Sequence, residues 1–261
     1  MTQRCVAVLG LGEAGGAISR DLAAAGVRVR AYDPLPRPAE GLISCTDEAD
    51  AARGADLVLS VNSAKAAEDA LRAGLPGMAE GAVWADLNTA APALKRRLDE
   101  LAADAGVAFA DVALMAPVPG KGLSTPMLVS GPAARAYADL LGPVGARVTT
   151  LEAPAGEAAG RKLLRSVFFK GMAAAAVEAL YAARQAGLED WMRGHIAEEL
   201  AGADEAFAER LETGSHRHAT RRAEEMRAAT ELLTELDVPP RISEASRAWL
   251  VQLAGEPAPE Q

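Results

Sequence analysis

Three glycines near the start of the chain, in Gly10-Leu11-Gly12-Glu13-Ala14-Gly15, have the spacing of a main-chain cradle for phosphate. The first permits a tight turn, the second lets an anion approach the backbone, and the third lets a helix pack closely on a strand. The helix opened by such a turn offers unpaired N–H groups and the positive end of its dipole. About twenty residues on, Asp33 ends the next strand-like run, where a carboxylate grips the ribose hydroxyls of an adenosine. Together they imply a bound dinucleotide. The carboxylate favours NAD, because it repels the 2′-phosphate of NADP. Arg37 stands four residues further on, a cation able to embrace that phosphate, in a turn stiffened by Pro34, Pro36 and Pro38.

The second set of reactive groups is cationic. Five lysines (Lys65, Lys95, Lys121, Lys162, Lys170) stand against 22 arginines, so a lysine marks a position where a titratable amine is wanted. Lys162, Ser166 and Lys170 recur every four residues and share one helical face. If hydride moves to or from a nicotinamide, the protein must move the accompanying proton, and Lys162 is the candidate general acid/base. A free lysine titrates near ~10.4; burial and like charges such as Arg161, Arg165 and Lys170 lower that value. Ser166 is a candidate hydrogen-bond donor to substrate and Lys170 a second amine beside it. A carboxylate on the substrate needs an anchor, and the forked guanidinium groups of Arg217, Arg221 and Arg222 are candidates. His216 and His218 point to opposite sides of a helix, no cysteine or carboxylate pair completes a ligand set, and His195 reads as structural. No metal is expected.

The elements that must position these groups are legible as two blocks. Strand-like runs at Cys5–Leu9, Val27–Tyr32, Leu57–Val61, Val83–Leu87, Val107–Asp111, Met127–Ser130 and Arg147–Leu151 alternate with helical patterns at Glu13–Ala25, Ala64–Ala73, Pro92–Ala105 and Pro132–Leu141. That alternation predicts βαβ units and a doubly wound, mostly parallel sheet of Rossmann type. From Ala155 to about Gly187 runs a long helical pattern. Further helices are expected at Leu188–Ala201, Ala203–Glu212, His216–Leu236 and Ile242–Leu253. The chain therefore reads as an α/β domain over residues 1–153 and an all-α domain over 154–261, with a frayed tail from Gly255.

Composition narrows the function classes. The chain has 261 residues, half of them hydrophobic, about 60 of them alanine, and a formal charge of −9. An acidic chain without a basic cluster is not expected to bind nucleic acid. Two cysteines, Cys5 and Cys45, cannot staple a chain of this length and read as free thiols of a reducing compartment. The apolar run from Cys5 to Leu11 is too short and glycine-broken for a signal peptide, and no stretch reaches the ~20 apolar residues of a membrane span. A cytoplasmic protein is expected.

Taken together, these segments resemble the β-hydroxyacid dehydrogenases, related to 6-phosphogluconate and 3-hydroxyisobutyrate dehydrogenases, in a subgroup with a short helical C-terminal domain. Val61-Asn62-Ser63 sits where that family lines the nicotinamide ribose. Asp86-Leu-Asn88-Thr89-Ala-Ala-Pro92 resembles its "D-x-S-T-x-x-P" segment, and Gly156-Glu-Ala-Ala-Gly160-Arg-Lys162-Leu-Leu-Arg-Ser166 its catalytic "G-x-G-x-x-x-K-x-x-x-N". The resemblance implies that Asn62, Ser63, Asn88 and Thr89 join Gly10, Leu11, Gly12, Glu13, Ala14, Gly15 and Asp33 around NAD or NADP. It places Lys162 at the chemistry, with Asn88, Met115, Ser166 and Lys170 toward a small anionic substrate. The family's "D-x-P-V-S-G-G" substrate loop is replaced by Asp111-Val-Ala-Leu-Met115-Ala116-Pro117, and its asparagine after the lysine by Ser166. The expected activity is hydride transfer between nicotinamide and a small carboxylate-bearing alcohol or carbonyl. An imine reductase-like enzyme and a non-catalytic NAD-sensing module are the alternatives. Related enzymes pair through the helical domain, so a homodimer is expected.

Overall fold

The computed structural model describes residues 4–35, 37 and 40–256; Pro36, Pro38 and the tail beyond Glu256 lie outside them. Continuous apolar runs form the centre of one sheet. β1 (Cys5–Leu9) is buried at all 5 positions, and its side chains alternate between two cores. Val6 and Val8 face one layer with Ile18 and Leu22, whereas Cys5, Ala7 and Leu9 face the other with Trp84, Leu98 and Phe109. A strand buried on both faces is what a parallel sheet covered by helices on both sides requires.

The remaining strands are β2 (Arg28–Tyr32), β3 (Ile43–Ser44), β4 (Leu57–Ser60), β5 (Val83–Asp86), β6 (Ala108–Leu114), β7 (Met127–Ser130) and β8 (Val148–Thr150). Their order is β3-β2-β1-β4-β5-β6-β7-β8. Every pairing is parallel except β6 with β7. The order reverses direction between β1 and β4, the point at which doubly wound sheets bind ligands beyond their carboxyl ends. The crossovers carry α1 (Glu13–Ala24), α2 (Glu48–Ala52), α3 (Ala67–Gly74), α4 (Pro92–Asp104) and α5 (Ala134–Leu141). α1 buries Gly15, Ile18, Ser19 and Leu22, one stripe at helical spacing. Pro92 opens α4, a position where its missing N–H costs nothing.

Among the described residues five helices follow: α6 (Glu157–Gln185), α7 (Glu189–Ala201), α8 (Glu205–Arg217), α9 (Ala219–Glu235) and α10 (Arg241–Leu253). No described helix is long and apolar enough to cross a membrane. By its contacts the chain divides into one unit ending at Arg165 and a second beginning at Ser166. The division falls inside α6 and not ahead of it, because Ala155 just before α6 and Ala158 and Ala159 in its first turn are buried in the first unit. Within the second unit, Ala182, Leu233 and Val238 form a small core.

Several elements depart from the pattern read in the sequence. β3 and α2 are additional, too short for periodicity to register. α2 is nonetheless capped, since Asp47 accepts from the Asp50 N–H at 2.7 Å. β6 runs on to Leu114, three residues past its expected end at Asp111. The expected break at residues 213–215 is absent: α8 continues through Gly214 to Arg217 and the chain turns at His218. His216 and Arg217 therefore end α8 and do not begin α9. The reason is local. A side chain at Gly214 would meet the Arg222 guanidinium at 3.1 Å, so this glycine makes room for a packed arginine and does not stop the helix.

Candidate active site

The glycine turn sits at the sheet's switch point, after β1 and before α1. Gly10 has φ +96°, which favours glycine, and a Cβ there would lie 2.5 Å from the Val61 carbonyl oxygen. A Cβ on Gly15 would lie 1.9 Å from the carbonyl oxygen of Gly10. These two glycines are required by packing. Gly12 is different: nothing lies within 4 Å of its missing Cβ, and it is the residue from which α1 starts, with no side chain capping the helix. Open space in front of an uncapped helix N-terminus is the shape a pyrophosphate needs, so the turn fits the dinucleotide expected of it.

Asp33 follows β2 and is tied to this turn. Its Oδ2 accepts from the Leu11 N–H at 2.7 Å and its Oδ1 from the Leu35 N–H at 2.8 Å. Each oxygen keeps a further lone pair for a ribose hydroxyl. Asp33 thus holds the glycine turn as well as standing where the adenosine ribose is expected, a double duty that sequence spacing alone did not reveal. Arg37 is exposed.

A cleft of about 310 Å³ opens in front of the turn, lined by Gly12, Glu13, Ala14, Val61, Asn62, Leu87, Asn88, Thr89, Leu114 and Lys162. Seven expected site residues therefore meet around one space: Gly12, Glu13, Ala14, Asn62, Asn88, Thr89 and Lys162. Gly10, Leu11, Gly15, Asp33 and Ser63 adjoin it through the turn and the β4 end without lining it. Ser63 donates its N–H to Asn62 Oδ1 at 2.7 Å. Met115, one residue past the cleft's Leu114, is held by its N–H to the Pro126 carbonyl. Ser166 and Lys170 follow Lys162 on the same helical stripe but belong to the second unit and do not line the cleft.

Polar side chains in the cleft are fixed from beneath. Asn88, 7% exposed, donates from Nδ2 to Asp86 Oδ2 at 2.6 Å and to Asn62 Oδ1 at 2.8 Å. Below them the fully buried Lys95 donates to Asp86 Oδ1 at 2.5 Å and lies 3.2 Å from Asp111 Oδ1. Asp111 Oδ2 accepts the N–H groups of Gly156 and Ala159, each at 3.0 Å, and so caps α6, whose own cap position is a glycine. Sequence reading missed this buried triad. Its signal was present: Asp86 and Asp111 each interrupt an apolar strand, and a carboxylate there demands a partner.

Other expected groups are engaged elsewhere. Arg161 pairs with Glu157 at 3.1 Å. Arg221 pairs with Glu225, and Arg222 donates to Ser215 Oγ at 3.1 Å. His195 stacks on Trp191 with ring centroids 5.5 Å apart. Among the described residues, no three His, Cys, Asp or Glu side chains are grouped to hold a metal ion.

Sheet order, switch-point cleft and glycine turn define a doubly wound dinucleotide-binding domain. Residues 5–151 match the family described as the NAD binding domain of 6-phosphogluconate dehydrogenase, and the chain belongs to that family. Its first unit is thus an NAD-binding domain of the dehydrogenase class, as the sequence resemblance implied. Residues 183–253 match a helical C-terminal domain of unknown function. The fold is shared with an imine reductase from Streptomyces aurantiacus at 20% identity, covering 95% of this chain and 94% of that one with a TM-score of 0.80. It is shared with an imine reductase from Myxococcus stipitatus in complex with NADP+, at 17% identity, 95% and 93% coverage and a TM-score of 0.75. A conserved protein of unknown function, described as structurally similar to 3-hydroxyacid dehydrogenases, is 27% identical over 95% of this chain and 97% of that chain, with a TM-score of 0.62. Among curated proteins there is no match.

Proposed function

We propose that the protein is an NAD(P)-dependent oxidoreductase that moves hydride between nicotinamide and a small carboxylate-bearing alcohol or its carbonyl form, with NAD preferred through Asp33. One observation carries the reading: Lys162 lines the same cleft as the glycine turn and Asn62, Asn88 and Thr89. The bound nicotinamide supplies the hydride chemistry. Gly12 and the start of α1 receive the pyrophosphate, Asp33 the adenosine ribose, and Asn62, Asn88 and Thr89 orient the other end. Lys162 takes the alcohol proton in oxidation and returns it to the carbonyl oxygen in reduction. Such a group is worth about 10²- to 10⁴-fold in rate.

A second reading is reduction of a C=N bond. It is favoured by Ser166 and Met115-Ala116-Pro117, which replace the substrate-touching residues of the hydroxyacid enzymes, and by folds shared with imine reductases. The test is NAD(P)H oxidation against panels of 2- and 3-keto acids and of cyclic imines, for wild type and Lys162→Ala. Turnover of keto acids that falls 10²- to 10⁴-fold in the variant, with NADH binding retained, is the expected result. Turnover of imines alone establishes the second reading. NADH binding with no turnover of either panel points to a sensing module. The helical unit is proposed to pair two copies of the chain.

A further inference from the structure

Asp86 and Asp111 are register partners on the adjacent parallel strands β5 and β6, and both side chains are fully buried. Like charges directly opposite one another on a sheet repel, and buried carboxylates need a counter-charge. The helix that crosses between these two strands, α4, supplies it through Lys95. Its Nζ donates to Asp86 Oδ1 at 2.5 Å and to the Asp86 carbonyl at 2.8 Å, and stands 3.2 Å from Asp111 Oδ1. That Asp111 oxygen accepts no aligned hydrogen bond, so its charge is answered by the facing ammonium.

The second oxygen of each carboxylate serves a different part of the cleft. Asp86 Oδ2 accepts from Asn88 Nδ2, which in turn donates to Asn62. Asp111 Oδ2 accepts from Gly156 and Ala159, in the first turn of the helix that carries Lys162. Ser130 completes the anchor: its hydroxyl donates to Asp111 Oδ2 and accepts from the Ala158 N–H, both at 3.1 Å. We propose that Lys95 is a positioning residue of the cleft, fixing the Asn62–Asn88 wall through Asp86 and the start of the Lys162-bearing helix through Asp111. The inference rests on reading this cleft as the nicotinamide end of the dinucleotide site. A ligand pressing on Asn62 and Asn88 is then felt at the Lys95 ammonium, although Lys95 touches no ligand.

The decisive experiment uses the wild-type chain labelled with ¹⁵N-lysine. A buried, hydrogen-bonded ammonium exchanges slowly enough to be followed by NMR, and five lysines make assignment by single substitution practical. Addition of saturating NADH is expected to shift the Lys95 signal while that of Lys121 stays in place. The double variant Lys95→Met/Asp86→Asn supplies a second reading, because it leaves an amide oxygen for Asn88 and Asp111 as the one remaining charge of the triad, held through its Oδ2 by Ser130 and the α6 N–H groups. It is expected to melt cooperatively and to bind NADH roughly tenfold more weakly, about 1.4 kcal/mol. An unmoved Lys95 signal at saturation overturns the proposal, whether or not the variant folds. An unchanged NADH affinity in a folded variant overturns it equally. If wild type binds no NADH, the reading of the cleft falls and takes this inference with it; if NADH binds without effect on Lys95, only the inference falls.

Discussion

Gly12 and Gly15 are three residues apart in one turn, yet an added methyl group meets opposite conditions at the two. At Gly15 it collides with the Gly10 carbonyl at 1.9 Å, a backbone atom that cannot swing aside. Gly15→Ala is expected to destabilise the first unit by about 1–3 kcal/mol or more, read as a lowered urea midpoint. At Gly12 the φ is −62° and the space is open, so a side chain is tolerated by the fold and intrudes only on a ligand. The sequence distinguished the roles of these glycines because their spacing encodes them. It marked Lys95 only as one of five lysines and did not disclose its burial, which follows from two aspartates 25 residues apart coming into register. Side-chain partnerships of that kind depend on strand pairing, which no local pattern specifies.

At the scale of elements, the same distinction recurs. Alternating apolar strands and amphipathic helices made the doubly wound sheet legible, because periodicity reports burial directly. β3, with two residues, and α2, with five, escaped it, and the turn between α8 and α9 was misplaced because Gly214 resembles a stop. Helix ends are held by distant side chains in both units. In the second, Glu178 of α6 accepts from the N–H groups of Ile242 and Ser243 at 2.7 and 2.8 Å, and from the Ser243 hydroxyl, capping α10. Desolvation raises the Glu178 pKa, but these hydrogen bonds outweigh it and hold the carboxyl below its ordinary value. A depressed folded-state pKa contributes stability above the unfolded value near ~4.3, and loses it as pH falls through the folded one. Glu178→Ala is therefore expected to cost about 0.5–2 kcal/mol at neutral pH, with the difference from wild type shrinking on acidification below the carboxylate range. Paired thermal melts at pH 7 and at pH 3 measure both.

At the scale of the whole molecule, an NAD-binding unit is followed by a helical unit with little core of its own and large apolar side chains in solvent. Trp249 is 63% exposed, Trp191 60% and Tyr181 56%. These are the side chains that the proposed pairing of two chains would cover. The proposed pairing of two chains predicts twice the chain mass in light scattering at micromolar concentration, and a shift toward the single chain in Trp191→Asp/Trp249→Asp. A single-chain mass for wild type would contradict it. The central claim lies in the first unit and is tested most directly by titrating NADH into wild type and Gly12→Val, followed by its fluorescence. Micromolar binding by wild type, lost in a variant that melts at the same temperature, is the result predicted. Equal binding by the two proteins would place the dinucleotide somewhere other than this turn and contradict the account.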